Sequence, residues 1–116
     1  MATNEHHKQL IQELRKEASN QKAAIWKRVA EDLEKPARIR RIVNISRINR
    51  TTKNNETIIV PGKVLGSGEI KHSVIVAALA FSEGAKQTIT NAKGQCLEIK
   101  DLLKQNPKGK DIRIIG

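Results

Sequence analysis

The chain has 116 residues, 38% of them hydrophobic, and carries 22 Lys plus Arg against 12 Asp plus Glu, a formal charge of +10. That is one domain's worth of chain; with only Trp26 and Phe81 as aromatics and no Tyr, the core has to come from Ile, Val, Leu and Ala. A compact molecule of this charge repels itself, so a polyanionic partner is expected, and the single cysteine, Cys96, excludes an internal disulfide and fits a reducing cytosol.

From the N-terminus, residues 5–18 read as a helix, with Leu10, Ile11, Leu14 and Ala18 on one stripe, Asn4 as N-cap and Ser19-Asn20-Gln21 as the break. A second helix over 22–34 carries the stripe Ile25, Trp26, Val29, Ala30, Leu33, and Pro36 stops it. Residues 41–45 are a short Ile/Val strand. Ser46 then caps a helical turn with Arg47 and Arg50 on one face, or the strand runs on to Ile48; the pattern leaves both open. Lys53-Asn54-Asn55-Glu56 is a turn. Thr57 to Val60 is a strand ended by Pro61-Gly62, and Gly66-Ser67-Gly68 is a further break. Val74 to Ala80 is apolar without alternation, as in a strand buried on both faces. Ser82 caps a helix to about Ala92, with Ala85 and Ile89 as its inner stripe and Lys93-Gly94 at its end. Leu97 to Gln105 reads as a short helix, Asn106 to Gly109 as a turn, and Ile112 to Ile115 as a last strand. Helices first, then strands alternating with helices, make an α/β protein, with an N-terminal helical region at 1–36 and a basic α/β domain at 37–116.

The charge is uneven. Residues 1–34 are neutral, 54–116 are net +3, and 35–53 hold Lys35, Arg38, Arg40, Arg41, Arg47, Arg50 and Lys53 with no acid. Five of these seven are Arg, whose planar donor fork grips phosphate in bidentate fashion. Ile39, Ile42, Val43, Ile45 and Ile48 run through the same stretch, which a solvated tail would not need; a packed element presenting Arg outward would.

An anionic membrane is the weaker partner. No apolar run approaches the ~20 residues of a bilayer span, and the start of the chain has neither a secretion-signal layout nor a Gly at position 2. Catalysis finds no support either. His6, His7, His72 and Cys96 lack metal-ligand spacing, and Gly66-Ser67-Gly68 does not match a nucleophile elbow. No catalytic, metal or cofactor residue and no small-molecule substrate is expected. In Pro61-Gly62-Lys63-Val64-Leu65-Gly66-Ser67-Gly68 the glycines either let backbone N–H groups approach an anion beside Lys63 or simply serve turns. Two aromatics on apolar faces give no base-stacking platform, which leaves backbone and shape recognition of folded nucleic acid.

Several strings together carry a resemblance: Glu34-Lys35-Pro36, Val43-Asn44-Ile45-Ser46-Arg47-Ile48-Asn49-Arg50, Val60 through Gly68, Val76 through Ser82, Asn106-Pro107-Lys108-Gly109 and Arg113-Ile114-Ile115. In this order, over nearly the whole chain, the sequence resembles the archaeal and eukaryotic large-subunit ribosomal protein eighteen-e family, related to bacterial large-subunit protein fifteen. It departs from it at Ala92-Lys93-Gly94, where the family often shows a double glycine. The absence of terminal extensions looks archaeal. The resemblance implies N-terminal helices followed by an irregular β-β-α superhelical α/β domain. It also implies a cytoplasmic, non-enzymatic constituent of the ribosome, partnered by large-subunit ribosomal RNA and neighbouring ribosomal proteins.

Which residues touch RNA is read from the charge map instead: Arg38, Arg40, Arg41, Arg47, Arg50 and Lys53, then Lys63, Lys71, Lys108 and Lys110. The alternative with the same charge is a DNA-compacting, chromatin-type protein.

Overall fold

A computed structural model describes residues 5–36 and 41–115; Asn4, the expected N-cap, lies outside them. The elements in chain order are α1 (Glu5–Gln21), α2 (Ala24–Glu34), β1 (Arg41–Asn44), α3 (Ile45–Thr51), β2 (Glu56–Leu65), β3 (Val74–Phe81), α4 (Glu83–Asn91), β4 (Gln95–Glu98), α5 (Ile99–Gln105) and β5 (Ile112–Ile114). The α/β expectation holds. The strands form one five-stranded sheet, β1-β2-β3-β4 with β5 also on β2, and every pairing is parallel.

A parallel sheet is covered on both faces, and side-chain alternation along β2 and β3 sorts the core accordingly. Ile58, Val60, Val74, Val76 and Ala78 face α3 and α4, joining Ile45, Ile48, Ala85 and Ile89. Ile59 and Ala77 point the other way, into a cluster with Leu14, Trp26, Val29, Leu33, Ile99 and Leu102 from α1, α2 and α5. The helical hairpin therefore packs on one face and α3 with α4 on the other.

Parallel neighbours need a crossover, and between β2 and β3 it contains no helix. Residues 66–73, which can reach at most roughly 26 Å at ~3.3 Å each, run back across the sheet. Buried Ile70 stands in the core where a crossover helix would otherwise contribute.

Several boundaries differ from the sequence expectation for definable reasons. Pro61-Gly62 does not end β2: the strand continues to Leu65, and the register against β3 shifts between Val60 and Lys63. The irregularity accommodates a residue without an N–H, and the absent side chain of Gly62 makes room for β1, since a Cβ there would stand 1.9 Å from the Arg41 carbonyl oxygen. Ser19-Asn20-Gln21 does not break α1, because a polar last turn needs no apolar stripe. The helix ends one residue later, where Lys22 takes φ 53° and the Ala23 and Lys22 amides bond back to the Ala18 and Ser19 carbonyls at 3.0 and 3.4 Å.

The same closure ends α4: Lys93 at φ 65°, with Gly94 and Lys93 bonding back to Ile89 and Thr90, each at 2.9 Å. Lys93 thus occupies the left-handed position that closes the helix. Gln95–Glu98, partly read as helix, is strand β4, in register with Ile75 through Ala78 of β3. Between β1 and α3 the turn comes early: Asn44, not Ser46, is the N-cap residue, and no side chain caps it. Ser82 caps α4 as expected, accepting from the Ala85 amide at 3.1 Å.

Candidate nucleic-acid interface

The α3 sequence Ile-Ser-Arg-Ile-Asn-Arg-Thr sets its own orientation. Ile45 and Ile48, three apart, are fully buried against the sheet, so Arg47 and Arg50 face solvent. The helix ends through its threonines: Thr51 Oγ1 donates to the Arg47 carbonyl at 2.8 Å and buried Thr52 Oγ1 to that of Ile48 at 2.6 Å. Lys53 follows at once, exposed, with its amide held by Glu56 Oε1 at 2.9 Å.

The crossover from β2 to β3 docks against this helix. The Lys71 amide donates to Asn49 Oδ1 at 2.9 Å, the Ser73 amide donates to Asn54 Oδ1 at 3.1 Å, and the Asn55 amide donates to the Ser73 carbonyl at 2.6 Å. Lys71, eighteen or more residues away in sequence, is thereby set beside Arg50 and Lys53. Ser73 Oγ donates to the Lys93 carbonyl at 3.0 Å, which brings the exposed Lys93 to the same side. His72 Nε2 lies 2.7 Å from Thr52 Oγ1. Because that hydroxyl spends its proton on Ile48, His72 must donate through Nε2, leaving Nδ1 as the second ring nitrogen.

The result is one surface of Arg47, Arg50, Lys53, Lys71 and Lys93 with His72. None of these five cations has an ion-pair partner among the described residues. Sequence reasoning missed Lys93 and His72. Lys93 stands alone in a turn signal, and only the tertiary contact through Ser73 relates it to α3.

The remaining candidates lie elsewhere. Lys63 is exposed on β2, in register with Ile42 and Ala80, and Ile42 is 64% exposed. Lys108 and Lys110 sit on a loop held from the opposite layer: Trp26 Nε1 donates to the Pro107 carbonyl at 2.7 Å. Asn106 braces the same loop, with Nδ2 donating to the Lys110 carbonyl at 2.8 Å and Oδ1 accepting from its amide at 3.3 Å. Arg41 is turned toward Asp32 of α2, Nε to Oδ2 at 3.8 Å. Arg38 and Arg40 lie outside the described residues.

The glycines of the string serve close packing. Gly68, at φ 106°, leaves no room for a Cβ, which would stand 2.5 Å from Ser46 Cβ; beside it the Ser46 amide donates to the Ser67 carbonyl at 3.0 Å. The loop is pressed against the start of α3.

Other polar residues have structural work. Arg113 pairs with Glu56 at 2.8 Å and donates to the Thr51 carbonyl, tying β5 to β2 and to the end of α3. His7 Nε2 donates to the Leu33 carbonyl at 2.7 Å. Burial pushes the Cys96 thiol above its usual range, partly opposed by the nearby Lys86 charge. Among the described residues no His, Cys, Asp and Glu group could hold a metal ion, and no helix is long and apolar enough to cross a membrane.

Comparison with known proteins adds a second line. A family model described as "Ribosomal protein 60S L18 and 50S L18e" matches residues 4–116. A protein of Methanothermobacter thermautotrophicus named "Large ribosomal subunit protein eL18" is 50% identical over 113 residues, covering 97% of this chain and 93% of its own. Its namesake in Archaeoglobus fulgidus is 50% identical over 106 residues, 91% of each chain. That of Methanococcus maripaludis is 45% identical over 116 residues, all of this chain and 97% of its own.

Proposed function

The chain belongs to the ribosomal protein 60S L18 and 50S L18e family, hence to the structural, non-enzymatic constituents of the large ribosomal subunit, and on that premise we propose that it binds and stabilises folded ribosomal RNA, mainly through phosphates, with the α3 surface as the principal contact. The observation that carries the reading is the bond from the Lys71 amide to Asn49 Oδ1, which joins two separate basic segments into one surface that has no acidic ion-pair partner among the described residues. Such a cluster stays costly in isolation and is relieved by a polyanion.

Arg47, Arg50, Lys53 and Lys71 form the centre of the contact. Lys63, Lys108 and Lys110 are further phosphate contacts on separate elements, and Arg38, Arg40 and Arg41, in the sequence before α3, are counted with them. Base readout is small, since Trp26 is fully buried and Phe81 half-buried in the core. The neutral α1–α2 layer is the side for neighbouring ribosomal proteins. The DNA-compacting alternative gains nothing from the relatives found.

Sedimentation of a lysate through sucrose gradients at low and high monovalent salt tests the assignment. Co-migration with the large subunit, loosened by salt, is the expected result. A protein that stays at the top of the gradient, or follows the nucleoid, overturns it.

A further inference from the structure

His72 differs in kind from its neighbours on the α3 surface. The side chains of Arg47, Arg50, Lys53, Lys71 and Lys93 carry N–H donors and no acceptor. The side-chain oxygens beside them are engaged: Asn49 Oδ1 holds the Lys71 amide, Asn54 Oδ1 the Ser73 amide and Glu56 Oε1 the Lys53 amide. Such a surface suits phosphate oxygens, which only accept. It offers little to a hydroxyl that has to donate.

Thr52 decides what His72 adds. The Ile48 carbonyl, 2.6 Å from Thr52 Oγ1, can only accept, so the hydroxyl proton is committed to it. In the 2.7 Å contact between Thr52 Oγ1 and His72 Nε2, the ring nitrogen is therefore the donor. With its proton on Nε2, the neutral imidazole presents a lone pair at Nδ1. Nδ1 has no partner among the described residues, and His72 is half-buried, so the ring is held while this nitrogen stays unspent. Buried Thr52, fixed by its own helix, thus sets one acceptor among five cations.

We propose that His72 Nδ1 accepts a hydrogen bond from a ribose 2′-hydroxyl, so that the α3 surface selects RNA over DNA while the surrounding cations hold phosphates. This rests on the RNA-binding reading above and deepens it. Phosphate is common to both nucleic acids, whereas the 2′-hydroxyl is the group that DNA lacks. The consequence separates affinity from selectivity. His72→Lys adds a positive charge, which by itself tightens binding to any polyanion, and it removes the acceptor.

The test uses the full chain and folded large-subunit ribosomal RNA carrying scattered 2′-deoxy nucleotides. Bound and unbound RNA are separated and the deoxy positions mapped in each. The expected result is a nucleotide at which the deoxy substitution weakens wild-type binding by about fivefold, the worth of one hydrogen bond. That sensitivity disappears in His72→Lys, although its overall affinity is unchanged or higher. His72→Gln, which keeps a donor for Thr52 and an acceptor beside it, restores the sensitivity.

A deoxy pattern that is the same in wild type and His72→Lys overturns the ribose contact and leaves the RNA-binding reading intact. A wild type that binds but is insensitive to deoxy substitution everywhere does so without any variant, which keeps the proposal falsifiable should His72→Lys fail to fold by circular dichroism. A wild type that does not bind this RNA at all overturns the underlying reading.

Discussion

Trp26, buried in the first turn of α2, donates from its indole Nε1 to the carbonyl of Pro107 at 2.7 Å, so a residue from the first quarter of the chain holds the loop that carries Lys108 and Lys110. The bond ties the helical layer to the chain entering β5. Trp26→Phe keeps most of the apolar volume and strands that carbonyl, which predicts a loss of about 1–3 kcal/mol. Trp26→Ala adds a cavity and is expected to cost roughly 3–5 kcal/mol. Urea unfolding of the two variants measures both, and a Trp26→Phe protein as stable as the wild type would deny the hydrogen bond its part.

Two glycines give opposite expectations. Gly62→Ala puts a Cβ against the Arg41 carbonyl, 1.9 Å away, so β1 and β2 have to separate. The predicted cost is about 3 kcal/mol or more. Gly84 lies in the first turn of α4 and its Cβ would meet nothing closer than 3.8 Å, so Gly84→Ala is expected to stabilise by roughly 0.5–1 kcal/mol. Thermal unfolding of the pair decides, with opposite signs as the outcome predicted.

Lys93 pays for its left-handed conformation at the end of α4. Lys93→Gly relieves that strain and is expected to raise stability by about 1 kcal/mol. It also removes a cation from the α3 surface, so RNA affinity should fall while the melting temperature rises. A single substitution that moved both in the same direction would break the separation drawn here between fold and interface.

Cys96 has its thiol pushed up by burial, and the direction fixes the sign. The folded state holds the proton more tightly than the unfolded chain, so the protein is at full strength below the ordinary thiol range and loses stability as pH rises through it. At neutral pH the thiolate is scarcer than in a free cysteine, so alkylation by iodoacetamide is expected to be slower for the folded protein than for the urea-unfolded chain. Equal rates would contradict the burial.

The sequence is most legible where a local pattern and a tertiary fate coincide. The stripe Ile25, Trp26, Val29, Ala30, Leu33 states the inner face of α2, and four of the five are buried with Ile25 packed beside them. The unbroken apolar run at Val74 states a strand between two helical layers. Expectation failed where the deciding partner is distant. Nothing near Pro61-Gly62 announces that a neighbouring strand's carbonyl requires the glycine, and Gln95–Glu98 becomes a strand because β3 offers it an edge.

The charge map found the basic segment but ranked its arginines alike. The fold distinguishes Arg41, turned to Asp32, from Arg47 and Arg50, which have no acidic partner among the described residues. It also brings Lys71 to them through Asn49, a contact across the crossover that no local pattern records.

The measurement that tests the central claim most directly is the salt dependence of binding to folded large-subunit ribosomal RNA, for the wild type and for the combined Arg47→Ala, Arg50→Ala, Lys53→Ala, Lys71→Ala variant. If these four cations each neutralise a phosphate, the logarithm of the association constant falls steeply with the logarithm of salt in the wild type, and the slope of the variant is shallower by roughly 3. The same slope in both proteins, with the variant folded, would contradict the account and place the RNA contact on another face.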